Sequence, residues 1–181
     1  MYTKADVIIS GGSMFKRFYP KEYYTSTYKI DFQKYYDMGY RGILFDIDNT
    51  LVPHDAPANE KVIKLMKKLK AIGFKICLVS NNKEPRVKSF NEKLNVSYVF
   101  KAGKPLKKGY IKAMEVIGTD IDNTLFVGDQ LFTDLWGANA LGIYSMLVMP
   151  INKKEEIQIV LKRIPEKLIL FFYMRKHKII R

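Results

Sequence analysis

The run "GILFDIDNTLV" at residues 42–52 puts two carboxylates, Asp46 and Asp48, directly behind the apolar residues Ile43, Leu44 and Phe45. Burying a carboxylate without a partner costs free energy or forces it to take up a proton. An apolar strand that runs into two of them therefore asks for a compensating charge. Further along come Ser80 and Asn81 in "VSNN", Lys104 ahead of Pro105, and Asp129 and Asp134 in "GDQLFTD". Carboxylates gathered at strand ends repel one another unless a cation sits among them. Hard oxygen ligands of this kind suit Mg2+, which keeps several waters and takes one or two carboxylates directly. Phosphoryl transfer asks for a nucleophile, neutralisation of the phosphoryl oxygens and a group that handles the leaving-group proton.

The elements that must hold these residues follow from the pattern of apolar runs. From residue 42 onward, short β-rich runs at Gly42–Asp46, Phe74–Ser80, Tyr98–Lys101, Thr124–Asp129 and Tyr144–Met149 alternate with helical patterns. In the first helical stretch, Val62, Leu65, Met66 and Leu69 are spaced for one face, with lysines on the other. Gly73 and Gly118 read as C-terminal stops, and Pro85 and Pro105 suit first helical turns. Alternation of this kind indicates an α/β fold with a parallel sheet, in which ligands bind beyond the carboxyl ends of the strands. Asp46, Ser80 and Asp129 stand at three such ends.

The ordered set Asp46-x-Asp48-Asn49-Thr50, Ser80, Lys104 and Asp129 with Asp134 resembles the haloacid dehalogenase superfamily of phosphotransferases, over residues 42–149. The resemblance implies a Rossmann-like sheet flanked by helices, with Mg2+ as cofactor. It implies Asp46 as the nucleophile that forms an aspartyl-phosphate, and Asp48 as the acid that protonates the leaving group and then the base that activates water. The metal would be held by Asp46, the Asp48 backbone carbonyl and Asp129, with Asp134 ordering it directly or through water. Ser80 would bind a phosphoryl oxygen and Lys104 would offset the charge of nucleophile and phosphate. Asn49, Thr50 and Asn81 are secondary candidates for substrate binding. The blander readings are a solvated loop residue for His54, core packing for Trp136 and a small core hydrophobe for Cys77.

Many members of this superfamily carry a cap domain inserted after the first motif or between the second and third. Here 34 residues separate Asp46 from Ser80 and 24 separate Ser80 from Lys104. Neither interval leaves room for a folded lid, so an open site and a bulky substrate are expected. The run "FDIDNTLV…VSNN…KAGKP…VGDQLFTD", with "FYPKEYY" upstream, resembles the capless YqeG-type phosphatases, which are similar to mitochondrial phosphatidylglycerophosphate phosphatases. The implied reaction is hydrolysis of phosphatidylglycerophosphate to phosphatidylglycerol.

Composition narrows the setting. Among 181 residues, 31 Lys and Arg face 18 Asp and Glu, a formal net charge of +13 that favours an anionic partner. One cysteine excludes an intramolecular disulfide, and no run reaches the ~18 apolar residues of a membrane span. Residues 1–41 form an aromatic, basic segment, 42–150 the phosphatase core, and 151–181 a basic tail with Pro165 as its expected helix start. The apolar run Leu168–Met174, with Lys167, Arg175, Lys176, Lys178 and Arg181 around it, could lie on anionic headgroups; Lys16 and Arg17 beside Phe15 and Phe18 could give a second foothold. The expected location is cytoplasmic, peripheral to the inner face of the membrane. Two other readings stay open: a phosphatase for phosphoprotein or nucleic-acid ends, and a non-catalytic membrane or nucleic-acid binding protein on the same scaffold.

Overall fold

In the computed structural model, residues 16–152 and 157–177 are described, with side chains for 17–152 and 165–177. The strands are β1 (Glu22–Tyr24), β2 (Gly42–Phe45), β3 (Lys75–Val79), β4 (Ser97–Val99), β5 (Thr124–Gly128) and β6 (Tyr144–Val148). They form a single sheet in the order β1-β6-β5-β2-β3-β4, and every neighbouring pair is parallel. The central strands β2 and β5 are buried at every residue, because helices cover both faces. Phe45 is in register with Leu78 and Val127, so the chain leaves β2, β3 and β5 at one common edge.

The helices are α1 (Phe32–Asp37), α2 (Glu60–Ile72), α3 (Glu84–Asn91), α4 (Lys107–Ile117), α5 (Trp136–Leu141) and α6 (Ile157–Lys176), with a π-helical turn at Leu131–Leu135 ahead of α5. Side-chain alternation along the strands divides the core. Ile43, Phe45, Ile76, Leu78, Leu125 and Val127 pack beneath α1, α2 and α3. Leu44, Cys77, Val79 and Phe126 pack on the opposite face with Tyr110 and Met114 of α4 and Ala138 of α5. Asn59 caps α2 by accepting the Val62 N–H at 3.1 Å, and Gly73 and Gly118 end α2 and α4 in left-handed conformations, as expected. Cys77 is buried in the core.

Two prolines sit differently from expectation. Pro105 precedes α4, whose N-cap is Leu106, so it is outside the first turn. Pro165 lies inside α6, which runs through it. One face of α6 already docks around it: Glu166, Ile169 and Tyr173 are buried, and Ile169 joins Phe18, Leu131, Leu135 and Leu147 in a third apolar cluster.

The aromatic flank contributes β1, a sixth strand on the edge beside β6. Its tyrosines gather around one carboxylate: Tyr144 donates to Glu22 at 2.7 Å, and the Tyr24 and Tyr35 hydroxyls meet at 2.6 Å. Phe18 is buried edge-on against Phe132, and Phe15 lies outside the described residues, as do Lys178 and Arg181. Trp136, expected in the core, is 38% exposed, because it begins α5 with one side against Phe18 and Arg17 and the other open. Between Asp46 and Ser80 the chain makes a tight turn, a loop, α2 and β3; between Ser80 and Lys104 it makes α3 and β4. No lid is inserted in either interval. Among the described residues no helix is long and apolar enough to cross a membrane.

Candidate active site

Asp46 leaves the end of β2 with its N–H bonded to Val127 O at 3.0 Å, which pins it to β5. The next residues fold back at once. Asn49 takes a φ of 62°, which Asn tolerates better than most residues, and its N–H reaches Val52 O at 2.7 Å. The turn buries Thr50, whose hydroxyl stands 3.1 Å from Asp46 Oδ2 and 3.2 Å from Asp129 Oδ1. Asn49 Oδ1 accepts the Asn152 N–H at 3.2 Å, tying the turn to the segment after β6.

Lys104 arrives from the loop after β4 and is buried. Its ammonium donates to Asp46 Oδ1 at 2.6 Å and to Asp134 Oδ1 at 2.7 Å. Asn81 sets the backbone of Lys104 by a reciprocal pair: the Lys104 N–H donates to Asn81 Oδ1 at 2.7 Å, and Asn81 Nδ2 donates to Lys104 O at 3.0 Å. Asp134 sits on the π-helical turn, where its Oδ2 accepts the Gln130 N–H at 3.1 Å. Gly128 makes that approach possible, since a Cβ there would lie 2.7 Å from both Cβ and Oδ2 of Asp134. Tyr110 steadies the same turn by donating to the backbone oxygens of Thr133 and Asp134.

The electrostatics follow from two buried carboxylates, Asp46 and Asp134, sharing one ammonium, with Asp129 buried close by. Burial pushes the Asp46 carboxyl up to about 7; Lys104 opposes the rise, while Asp134 and Asp48 add to it. Burial also works against the charge on Lys104, yet Asp134 and Asp46 outweigh it and hold the ammonium above its usual range. Asp46, Asp129 and Asp134 offer oxygens that all lie within 4.8 Å of one another. An all-oxygen, anionic and under-neutralised donor set fits a hard divalent cation.

The Asp48 carboxylate is not part of that set; it groups with His54 and Asp55. It accepts from the Asp55 N–H at 2.8 Å, Asn82 Nδ2 at 2.7 Å and an Arg86 guanidinium nitrogen at 2.9 Å. Ser80 is buried at the end of β3, with Oγ accepting the Asn82 N–H at 3.1 Å. A pocket of about 300 Å³ joins these groups, lined by Asp46, Asp48, Asn49, Ser80, Asn81 and Lys104 among others. Thus Asp46, Ser80, Lys104, Asp129 and Asp134, scattered over 88 residues of chain, converge at one edge of the sheet. Asn82 and Arg86 are not among the sequence candidates, and His54, expected to be a solvated loop residue, is half-buried and lines the pocket. The edge rule that singled out Ser80 also covers the start of α3, and so could have pointed to Asn82 and Arg86.

A capless parallel α/β sheet with an aspartate-rich carboxyl edge defines a class of hydrolase, and known proteins agree. The family model of haloacid dehalogenase-like hydrolases matches residues 54–142. The protein named "Probable phosphatase YqeG" of Bacillus subtilis (strain 168) is 34% identical over 165 residues, covering 90% of this chain and 96% of that one. Two solved structures share the fold, each with a TM-score of 0.50. An uncharacterized protein from Listeria monocytogenes serotype 4b, 16% identical, covers 72% of this chain and 97% of its own. The cobalt-bound deoxy-D-mannose-octulosonate 8-phosphate phosphatase from Haemophilus influenzae, 11% identical, covers 75% and 90%. The chain belongs to the haloacid dehalogenase-like hydrolases, and within them to the phosphatases.

Proposed function

We propose that the protein is a Mg2+-dependent phosphomonoester hydrolase that acts through an aspartyl-phosphate on Asp46, with phosphatidylglycerophosphate as substrate and phosphatidylglycerol as product. The observation that carries the chemistry is the Asp46 carboxylate, fixed between Lys104 and Thr50 beside Asp129 and Asp134 and facing the pocket. Asp46, Asp129 and Asp134, with the Asp48 backbone carbonyl, would hold Mg2+. Bound there, the cation offsets the negative charge of the nucleophile and of the phosphoryl oxygens.

The residues of the chain do the rest. Lys104 and Thr50 hold the two Asp46 oxygens, so the carboxylate meets the phosphorus in a fixed orientation. As the new bond to Asp46 forms, the bond from phosphorus to the leaving oxygen breaks, and Asp48 supplies that oxygen with a proton. Asp48 then takes a proton from water, which attacks the phosphorus and frees Asp46 and inorganic phosphate. Ser80, whose oxygen accepts from Asn82, keeps its hydroxyl hydrogen for a phosphoryl oxygen. Asn81 keeps Lys104 in reach.

The absence of a lid and the outer face of α6 support a lipid substrate. Leu168 and Phe171 are 54% and 46% exposed, on the side of the helix opposite the buried Glu166, Ile169 and Tyr173. On a helical projection they form one stripe running to Arg175, with Lys167 and Lys176 to either side. An apolar stripe with basic borders suits the headgroup boundary of an anionic bilayer. The test is phosphate release from phosphatidylglycerophosphate in mixed micelles with Mg2+. Release from another phosphomonoester but not from this lipid overturns the substrate, and substantial turnover by Asp46→Asn overturns the nucleophile.

A further inference from the structure

Asp48 is held by a residue that never enters the pocket. Arg86, in the first turn of α3, donates through one guanidinium nitrogen to Asp48 Oδ1 and to Ala56 O, both at 2.9 Å. Its ring-stacked position over Phe90, at 5.3 Å from the centroid, and a side-chain exposure of 19% keep it from swinging freely. The same Asp48 Oδ1 also accepts the Asp55 N–H, whereas Oδ2 accepts only from Asn82 among the described residues. A carboxylate oxygen offers two in-plane lone pairs. Oδ1 therefore has both engaged, and Oδ2 has one open.

We infer that Arg86 is the positioning residue of the general acid–base: by saturating Oδ1 together with the Asp55 N–H, it makes Oδ2 the oxygen that carries the transferred proton and fixes where that oxygen points. The inference rests on the proposed role of Asp48. In the first half-reaction the proton leaves Oδ2 for the leaving oxygen as the bond from phosphorus to that oxygen breaks and the bond to Asp46 forms. In the second, the same Oδ2 takes a proton from the attacking water. Arg86 achieves this at a cost to its own satisfaction. Its Nε is buried and, among the described residues, makes no hydrogen bond; an Asp55 carboxylate oxygen stands 3.6 Å from it. A pair kept for stability alone would present the planar fork to one carboxylate, with both nitrogens bonded. Here a single nitrogen serves two acceptors, which joins Asp48 to the loop at Asp55 and Ala56 and to α3.

The test separates positioning from general support through the leaving group. General acid assistance matters for an alkoxide and hardly at all for a dinitrophenolate, which departs without a proton. kcat/KM is measured with glycerol phosphate and with 2,4-dinitrophenyl phosphate, using full-length wild-type protein, Arg86→Met, Arg86→Lys, Asn82→Ala and Asp48→Asn. General acid–base groups contribute about 10²–10⁴-fold, so Arg86→Met should lose about 30-fold or more on the alkyl phosphate and less than about threefold on the aryl phosphate. Arg86→Lys, which keeps a donor, should recover part of the alkyl rate. Asn82→Ala leaves the Arg86–Ala56 bond intact and should show a smaller loss with the same selectivity; it keeps the question open to measurement if Arg86→Met does not fold. Equal losses on both substrates, or none, with Asp48→Asn selective for the alkyl phosphate, overturn the role of Arg86 alone. An unselective Asp48→Asn overturns the role of Asp48, and the inference with it.

Discussion

Replacing Lys104 with methionine isolates the charge balance at the centre of the site. Methionine fills much of the same volume but removes the ammonium that Asp46 and Asp134 share at 2.6 and 2.7 Å. Removing one partner of a buried ion pair typically costs about 3–5 kcal/mol, because the charge left behind has neither water nor counter-charge. For a domain of this size each kcal/mol moves the melting temperature by about 2–4 °C, so a fall of about 6–20 °C is expected without metal. The raised lysine pKa places this stabilisation fully below the ordinary lysine value, and it is lost only as pH climbs beyond that. The difference from wild type should therefore be present at pH 8. It should shrink toward pH 5 as the stranded Asp46 carboxyl takes up its proton, and shrink again with saturating Mg2+. Guanidinium denaturation at both pH values, with EDTA and with Mg2+, measures it. A variant within about 1 kcal/mol of wild type at pH 8 in EDTA would refute the reasoning, since an unpartnered buried carboxylate costs more than that.

Other consequences can be checked alongside. Gly128→Ala forces Asp134 away by placing a methyl group where its side chain sits, so stability should fall by about 1–3 kcal/mol and turnover should drop with it; thermal unfolding and kcat report both. The Asp46 carboxyl binds its proton more tightly folded than unfolded, with a value of about 7 against an ordinary 3.8, so metal-free protein should lose stability as pH rises between those values. Mg2+ should stabilise more at pH 8 than at pH 5, and at 100 times its dissociation constant by about 2.7 kcal/mol, read from melting curves. The pair Leu168→Glu and Phe171→Glu should abolish sedimentation with phosphatidylglycerol-rich vesicles; unchanged sedimentation would remove the outer stripe of α6 as the contact.

The strands that carry the site were readable because each is a short apolar run ending in a polar residue, and because burial on both faces leaves no alternation to blur it. The five strands from β2 to β6 lie where the runs Gly42–Asp46, Phe74–Ser80, Tyr98–Lys101, Thr124–Asp129 and Tyr144–Met149 placed them, to within two residues at their ends. β1 was not readable: three half-buried residues at an edge carry no period, and their partner strand lies far along the chain. Pro165 misled because a proline more often opens a helix than lies within one; burial of Glu166, Ile169 and Tyr173 anchors the part of α6 that follows it. Asp46, Ser80 and Asp129 declared themselves by their places at strand ends. Asn82 and Arg86 lie just past the same edge, but what singles them out from their neighbours is a bond to Asp48 across 34 to 38 residues of chain.

The position of β1 also bears on how the protein is made. Glu22 pairs with Met146, 124 residues later, so β1 has a partner strand only once β6 has been made. At about 5–20 residues per second that is a wait of roughly 6–25 s, during which β2 to β5 can already assemble. Until then β1 has no native partner, and the charges of Lys21 and Glu22 are of the kind that discourages edge pairing with a neighbouring chain. A nascent chain released before residue 148 lacks part of the β6 edge on which β1 pairs.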